Sequence, residues 1–355
     1  MNYIPDNTID RIKRRGMVLF YGAGMTCSVG IPSWQELLEK LASDLSYEPG
    51  LVAKLSQQGY SLPRIASYLF LASKQNRTCF NSTVRQGLYA KEPLKQFFDK
   101  KLKDFPNGAR DFVSLIESQN PNLAGLAKLL VVPRYDGSLT TNPTHAPNPS
   151  VAAVITTNYD DLLRSYIWEK YVVQQQPASA ETRRLLRTVD RPSATPRHGM
   201  INLYHVHGFL QLKRYDKDSD REASLGGIVL TETDYFNEFS SRSMYFPSIL
   251  HQKMSHHVSV FVGMSMTDQN INRILYQVRQ DCATESQRRL GRHIALLLKS
   301  GQEIQNEVVN KLLEELGVKP IWYSDHAEVS EILKELYIRT FHPCTGLDAN
   351  SAWGA

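Results

Sequence analysis

The chain has 355 residues, with 41 Lys and Arg against 36 Asp and Glu, a formal net charge of +5, and 22% charged and 42% apolar residues. That is the make-up of a folded protein of one large domain or two ordinary ones, and it excludes a disordered chain, a collagen-like repeat and a polycationic nucleic-acid binder. Cys27, Cys79, Cys282 and Cys344 form no Cys-x-x-Cys pair, so neither a zinc ribbon nor a disulfide framework is indicated and no metal is expected.

The N-terminus places its basic cluster after acidic residues and before only a short apolar run, which is not a signal peptide's order. No apolar stretch approaches the roughly 18 residues that span a bilayer. The expectation is a cytoplasmic protein with no membrane association. Met17–Tyr21 then reads as a buried strand, leading through a glycine-rich turn into a helix over Trp34–Leu45. From about residue 46 to 149 the pattern is helical, with apolar faces at Leu51–Leu55, Ile65–Leu71, Leu94–Leu102, Phe112–Ile116 and Leu123–Leu129 and no convincing strand; Gly137–Pro149 reads as a return linker.

Val151–Thr156 is the next strand, followed by a helix over Asp160–Lys170. Gln174–Gly199 carries Arg183, Arg184, Arg187, Arg191 and Arg197 among Pro, Ser, Ala and Thr, and reads as a solvated helix end and loop, or as a phosphate- or partner-facing patch. Further strands are expected at Ile201–Val206, Gly227–Leu230, Val258–Gly263, His293–Leu298 and Pro320–Tyr323, with helices over Asp268–Cys282, Ile304–Leu316 and Val329–Phe341. Short apolar runs alternating with helices predict an α/β doubly wound parallel sheet with an inserted helical subdomain.

Four strand ends carry candidate chemistry. After Tyr21 come Gly22-Ala23-Gly24, Thr26, Ser28 and Gly30-Ile31-Pro32, a turn that presents backbone N–H groups to a phosphate or simply closes a tight connection. Glycine is missing at position 27 and no Gly-Lys-Ser/Thr follows, so the usual dinucleotide fingerprint and the Walker loop both fail. The other strand ends are Thr157-Asn158-Tyr159-Asp160, His205-Val206-His207-Gly208 and Gly263-Met264-Ser265 before Asp268. Asn158, Asp160 and Asp268 also suit helix caps, and alternation places His205 and His207 on one face. Ligands of open α/β sheets collect at this edge.

Together these motifs, in this order and at these separations over residues 15–340, resemble the sirtuin family, and specifically the zinc-free sirtuin-like domains of bacterial anti-phage defence proteins. The resemblance implies a discontinuous Rossmann-like domain over residues 10–45 and 150–342, a helical insert over 46–149, a poorly ordered tail over 343–355, and NAD+ bound as substrate between the two domains. Gly22, Ala23 and Gly24 would cradle the pyrophosphate, with Thr26 or Ser28 adding a hydroxyl. Ile31 and Asp160 would line the nicotinamide pocket beside Thr157, Asn158 would hold the ribose or a water, and His207 would be the general base. Gly263 and Ser265 would meet the adenosine ribose or phosphates, and Tyr323 and Ser324 would lie near adenine.

Two departures matter. Protein-deacylating sirtuins follow Gly-Ile-Pro with Asp-Phe-Arg, where Ser33-Trp34-Gln35 stands here, and they carry a four-cysteine zinc ribbon, whereas the insert holds only Cys79. The resemblance therefore implies an NAD+ hydrolase, a triggered defence effector that depletes NAD in abortive infection; a protein deacylase and a non-catalytic NAD- or ADP-ribose-binding subunit are the alternatives. It also implies control by homo-oligomerisation or by a separately encoded ATPase or nucleotide-sensing partner. A nucleic-acid partner rests only on the Arg183–Arg197 stretch, since +5 over 355 residues is a weak electrostatic footprint.

Overall fold

Alternating burial along the short apolar runs is what builds the sheet. In the computed structural model, which describes residues 3–98, 108–134, 144–147, 150–173, 185–212, 227–238, 244–281, 292–340 and 353, β1 (Met17–Tyr21) sends Met17, Leu19 and Tyr21 into one core and Val18 and Phe20 into a second. β4 (Val151–Thr156), β6 (Ile201–His205), β7 (Val258–Val262) and β8 (His293–Leu298) divide their side chains in the same way. Strands apolar on both sides must be covered on both sides.

With β5 (Leu186–Val189) and β9 (Val318–Tyr323) these strands form a seven-stranded parallel sheet in the order β5-β6-β4-β1-β7-β8-β9. The fold is therefore the expected α/β doubly wound one. On the first face lie α1 (Asp6–Arg15), α2 (Trp34–Asp44), α3 (Leu51–Gln57), α4 (Leu62–Ser73), α5 (Arg77–Leu88), α6 (Gly108–Gln119), α7 (Pro121–Leu130), α8 (Leu162–Trp168), and the C-terminal helix, Glu328–Thr340, which packs along α7. α9 (Glu232–Glu238) packs on α4, while α10 (Tyr245–His256), α11 (Gln269–Gln280) and α12 (Glu303–Glu315) cover the second face. The C-terminal helix is α13.

Ser33 starts α2 with a reciprocal capping box, its hydroxyl accepting from the Glu36 N–H at 3.3 Å while the Glu36 carboxylate accepts from the Ser33 N–H at 2.7 Å. Among the described residues, no helix is long and apolar enough to cross a membrane.

Three expectations are corrected. Gly227–Leu230 is not a strand: Ile228 and Leu230 are buried, and the Val229 N–H donates to the His207 carbonyl at 2.9 Å, so the apolar run is a wedge beside the sheet rather than part of its ladder. Leu186–Val189, read within an arginine-rich loop, is instead the edge strand β5, whose Arg187 is partly covered. The helical stretch also contains a hairpin, β2 (Val131–Arg134) pairing antiparallel with β3 (Thr144–Pro147). Leu94–Phe97 is a single 3-10 turn; residues 99–102, most of the 137–149 linker, Arg183, Arg184, Cys282 and the tail apart from Trp353 lie outside the described residues.

Candidate active site

Register brings the candidate residues together. Tyr21 is level with Thr156 on one side and Val262 on the other, and Thr156 is level with His205, so four neighbouring strands end at the same height. The chain places β4, β6 and β5 on one side of β1 and then returns to place β7, β8 and β9 on the other, which makes the C-terminal ends flanking β1 the switch point where an open sheet leaves a crevice. A cleft of about 940 Å³ opens there.

Its floor is made of two interlocked turns. The Gly22 N–H donates to Val262 O and the Gly24 N–H to Gly263 O, both at 3.0 Å. A Cβ on Gly22 would stand 2.6 Å from Gly263 O, and one on Gly263, whose φ is +63°, would stand 2.8 Å from Met25 N. Glycine is needed at both positions for backbone to meet backbone. Because these two N–H groups are already committed, the turn offers a phosphate less than its sequence suggests.

One wall is a buried polar cluster. Thr26 Oγ1 donates to Asp160 Oδ2 at 3.0 Å, and Asn158 Nδ2 donates to the same oxygen at 3.2 Å and to Thr26 Oγ1 at 3.3 Å. The Asn158 N–H donates to Thr156 Oγ1 at 3.0 Å, which fixes the backbone beneath it. With its Nδ2 turned to Asp160, the amide directs its Oδ1 prong away from that pair. Burial raises the Asp160 carboxyl to about pKa 6, against the pull of the Leu162 N–H, Thr26 and Asn158 hydrogen bonds.

His207 is buried on the turn after β6, where Gly208 takes a φ of +72°. Burial lowers its pKa, and the Asp268 carboxylate opposes that fall, so the imidazole is neutral at pH 7. Its ring meets Tyr235 edge-on, with centroids 5.3 Å apart. His205, expected on the same face, is the last residue of β6 and faces elsewhere: its Nδ1 lies 3.4 Å from Asn158 O and its ring packs on Phe209. The strand ends between the two histidines, and alternation ends with it.

The structure thus gathers Gly22, Ala23, Gly24, Ile31, Thr157, Asn158, Asp160, His207, Gly263 and Ser265 around one cleft. Thr26 stands behind it as the partner of Asp160. Ser28, Tyr323 and Ser324 do not line it. Tyr323 ends the edge strand β9, with its hydroxyl 3.5 Å from His326 Nδ1, and the Ser324 N–H donates to Glu328 at the start of α13.

Sequence reasoning missed the helix-borne walls. Trp34, at the start of α2, stacks on Tyr235 of α9, with Phe236 beside it, and Arg273 of α11 is the one Lys or Arg among the described residues that line the cleft. The Trp-for-Phe departure at position 34 was the available signal for the first. The amphipathic spacing of α11 gave none for Arg273.

The insert is tied to the His207 segment. Tyr89, just after α5, donates to Leu210 O at 2.6 Å, Arg85 Nε to Gln211 O at 2.5 Å, and Arg77 to Ile228 O at 2.7 Å and to Asp234 at 2.5 Å. Asp161, buried at the start of α8, accepts from the Leu212 N–H at 2.8 Å on the same segment. Among the described residues no group of three or more His, Cys, Asp or Glu side chains is placed to hold a metal ion, and Cys27 and Cys79 are exposed free thiols.

Comparison with known proteins agrees with this geometry. The SIR2-like domain family matches residues 152–321, which carry the Asn158, His207 and Gly263 strand ends. Defense-associated sirtuin 2 of Bacillus subtilis is 24% identical over 286 residues, covering 78% of this chain and 21% of that protein. The chain thus spans about a fifth of the length of that relative. A parallel sheet whose strand ends present these motifs in one crevice, together with that match, makes this chain similar to SIR2-like domains over residues 152–321.

Proposed function

We propose that the chain is an NAD+ hydrolase that cleaves the nicotinamide–ribose bond. The observation that carries the reading is the meeting of Asn158 and a neutral, buried His207 in one cleft whose volume suits an extended two-ringed ligand. The aromatic wall of Trp34 and Tyr235 suits a flat ring, and Arg273 suits the diphosphate.

Breaking the C1′–N bond sends its electron pair to nicotinamide and leaves an oxocarbenium-like ribose, as in glycoside hydrolysis. Asn158 orients a water or the ribose hydroxyls without adding charge beside that centre. Water adds to C1′ and His207 takes its proton, giving ADP-ribose, nicotinamide and one proton. Asp160 holds Asn158 in place. The defence role named for the relative fits such an activity, which depletes NAD when triggered, and an unchecked hydrolase would call for a separately encoded regulatory partner.

The test is chromatography of NAD+ incubated with the wild type, His207→Ala and Asn158→Ala, with and without an acylated peptide. Nicotinamide and ADP-ribose should appear without peptide and fall by about 10²–10⁴-fold in the His207 variant. Turnover only with the peptide would make the chain a deacylase. No turnover at NAD+ concentrations where binding is measured would leave a binding module.

A further inference from the structure

Tyr159 stands between Asn158 and Asp160 in sequence, and its carbonyl and its hydroxyl both reach the segments that hold His207. The carbonyl accepts from the Leu210 N–H at 2.7 Å, and the hydroxyl donates to Val229 O at 2.6 Å. The Val229 N–H in turn donates to His207 O at 2.9 Å. Two hydrogen bonds through one residue therefore run from the Asn158 turn to the His207 backbone.

That span is where the site needs a brace. The ladder between β4 and β6 ends with Thr156 beside His205, and beyond it a single bridge pairs Asp160 with Leu210. Asn158 and His207 lie in the two turns between these points. The turn at Gly208 packs on the same support as Val229, since a Cβ on Gly208 would stand 2.9 Å from Gly227 O. The wedge that contains Val229 also leads into α9, where the Leu230 and Thr231 N–H groups donate to Asp234 at 3.0 and 2.7 Å. α9 carries Tyr235, whose ring meets His207 edge-on. The wedge and the helix it starts thus touch both the backbone and the ring of His207, and the Tyr159 phenol ties the wedge to the Asn158 turn.

Resting on the hydrolase reading above, we infer that Tyr159 is a positioning residue, its hydroxyl setting the distance and angle of His207 relative to Asn158. The side chain borders the cleft, but its hydroxyl donates to Val229 O, so the phenol braces the reacting groups without entering the proton transfer. The ring is half-buried and packs against the core, which keeps it in place without the oxygen. Deleting the oxygen alone frees the wedge, and a displacement of about 1 Å at a reacting group can cost on the order of 10²-fold in rate.

The test is Tyr159→Phe in the full chain, which removes one donor and keeps the ring. Nicotinamide release should show kcat lowered roughly 10- to 100-fold, with KM for NAD+ and Kd for ADP-ribose changed less than about twofold. The imidazole resonances of nitrogen-15-labelled histidine give a readout independent of turnover, with His207 and His293 assigned by the signals lost in His207→Ala and His293→Gln. The His207 signals should shift in Tyr159→Phe, while those of His293, buried on β8, stay in place. A folded variant with unchanged kcat would overturn the assignment. So would a fall in kcat with the His207 signals unmoved, which would make the hydroxyl a substrate contact. Where the wild type itself shows no turnover, shifted His207 signals sink the hydrolase reading and leave the brace standing, and unmoved ones sink both.

Discussion

The side-chain amide of Asn158 donates to the carboxylate of Asp160 across 3.2 Å, within a buried pair only two residues apart in sequence. Asp160 Oδ2 accepts from Asn158 and Thr26 together when ionised. With its pKa raised to about 6, chiefly by burial, it is ionised above that pH and protonated below it. Protonation removes an acceptor from Asn158, so kcat/KM should fall as pH drops through 6. Burial also lowers the pKa of His207, with the Asp268 carboxylate opposing the fall. Nicotinamide release measured between about pH 5 and pH 8 should show this limb in the wild type and lose it in Asp160→Asn, at lower overall activity. The same limb in both proteins would remove Asp160 from the role.

Arg273 should govern affinity for the anionic part of the substrate. Two carboxylates, Glu232 and Asp268, line the cleft with it in addition to Asp160. Charge-assisted hydrogen bonds contribute about 1.5–3 kcal/mol, so Arg273→Ala should raise KM for NAD+ roughly 10- to 100-fold with little change in kcat, and Arg273→Lys should recover part of the loss. Titration with ADP-ribose and with adenosine separates the phosphate contribution. Equal weakening of both ligands would point to a general distortion instead.

Gly263→Ala should damage fold and site together. The added Cβ meets Met25 N at 2.8 Å, and the backbone sits at a φ of +63°, which side chains disfavour. A loss of about 1–3 kcal/mol from the backbone conformation alone is expected in urea unfolding, with the clash adding to it. Unchanged stability would mean that the two turns are looser than the Gly24–Gly263 hydrogen bond indicates.

Acid should destabilise the chain through two buried histidines. His205 and His293 are both lowered to about 3 by burial. Their contribution is whole above the unfolded value of 6.5 and is lost as pH falls toward 3, because only the unfolded chain takes up the protons. Each adds a slope of about 1.4 kcal/mol per pH unit in that window. Asp160 acts oppositely, since its raised pKa favours the folded state as pH falls from 6 toward 3.8. His293 Nδ1 accepts from the Ser259 N–H at 3.0 Å, so His293→Gln keeps an acceptor there and should shed about one proton's worth of slope between pH 6.5 and 5.5 in urea titrations. An unchanged slope would place the acid sensitivity elsewhere.

What the sequence disclosed is what a strand and its exit turn disclose locally. β1, β4 and β8 were legible to the residue because each is an unbroken apolar run, and Asn158, His207 and Gly263 stood out because each follows such a run. Gly227–Leu230 had the same composition without a ladder, since burial of Ile228 and Leu230 demands apolar side chains whether or not the backbone pairs. Tyr323 failed as a cleft residue for a reason no motif contains: strand order sets β9 three places from β1. Trp34, Tyr235 and Arg273 reach the cleft from helices, where the face turned to a ligand carries no mark distinguishing it from the face turned to solvent.

The hydrogen bonds made by α5 and by Tyr89 just after it tie the insert to the His207 side of the cleft. Arg77, Arg85 and Tyr89 donate to the backbone carbonyls of Ile228, Gln211 and Leu210, and Arg77 also holds Asp234 near the start of α9. Swinging the helical insert as a rigid lid would tear all of these at once. The insert is therefore part of the frame around His207, and any opening that parted the two would have to break these hydrogen bonds together.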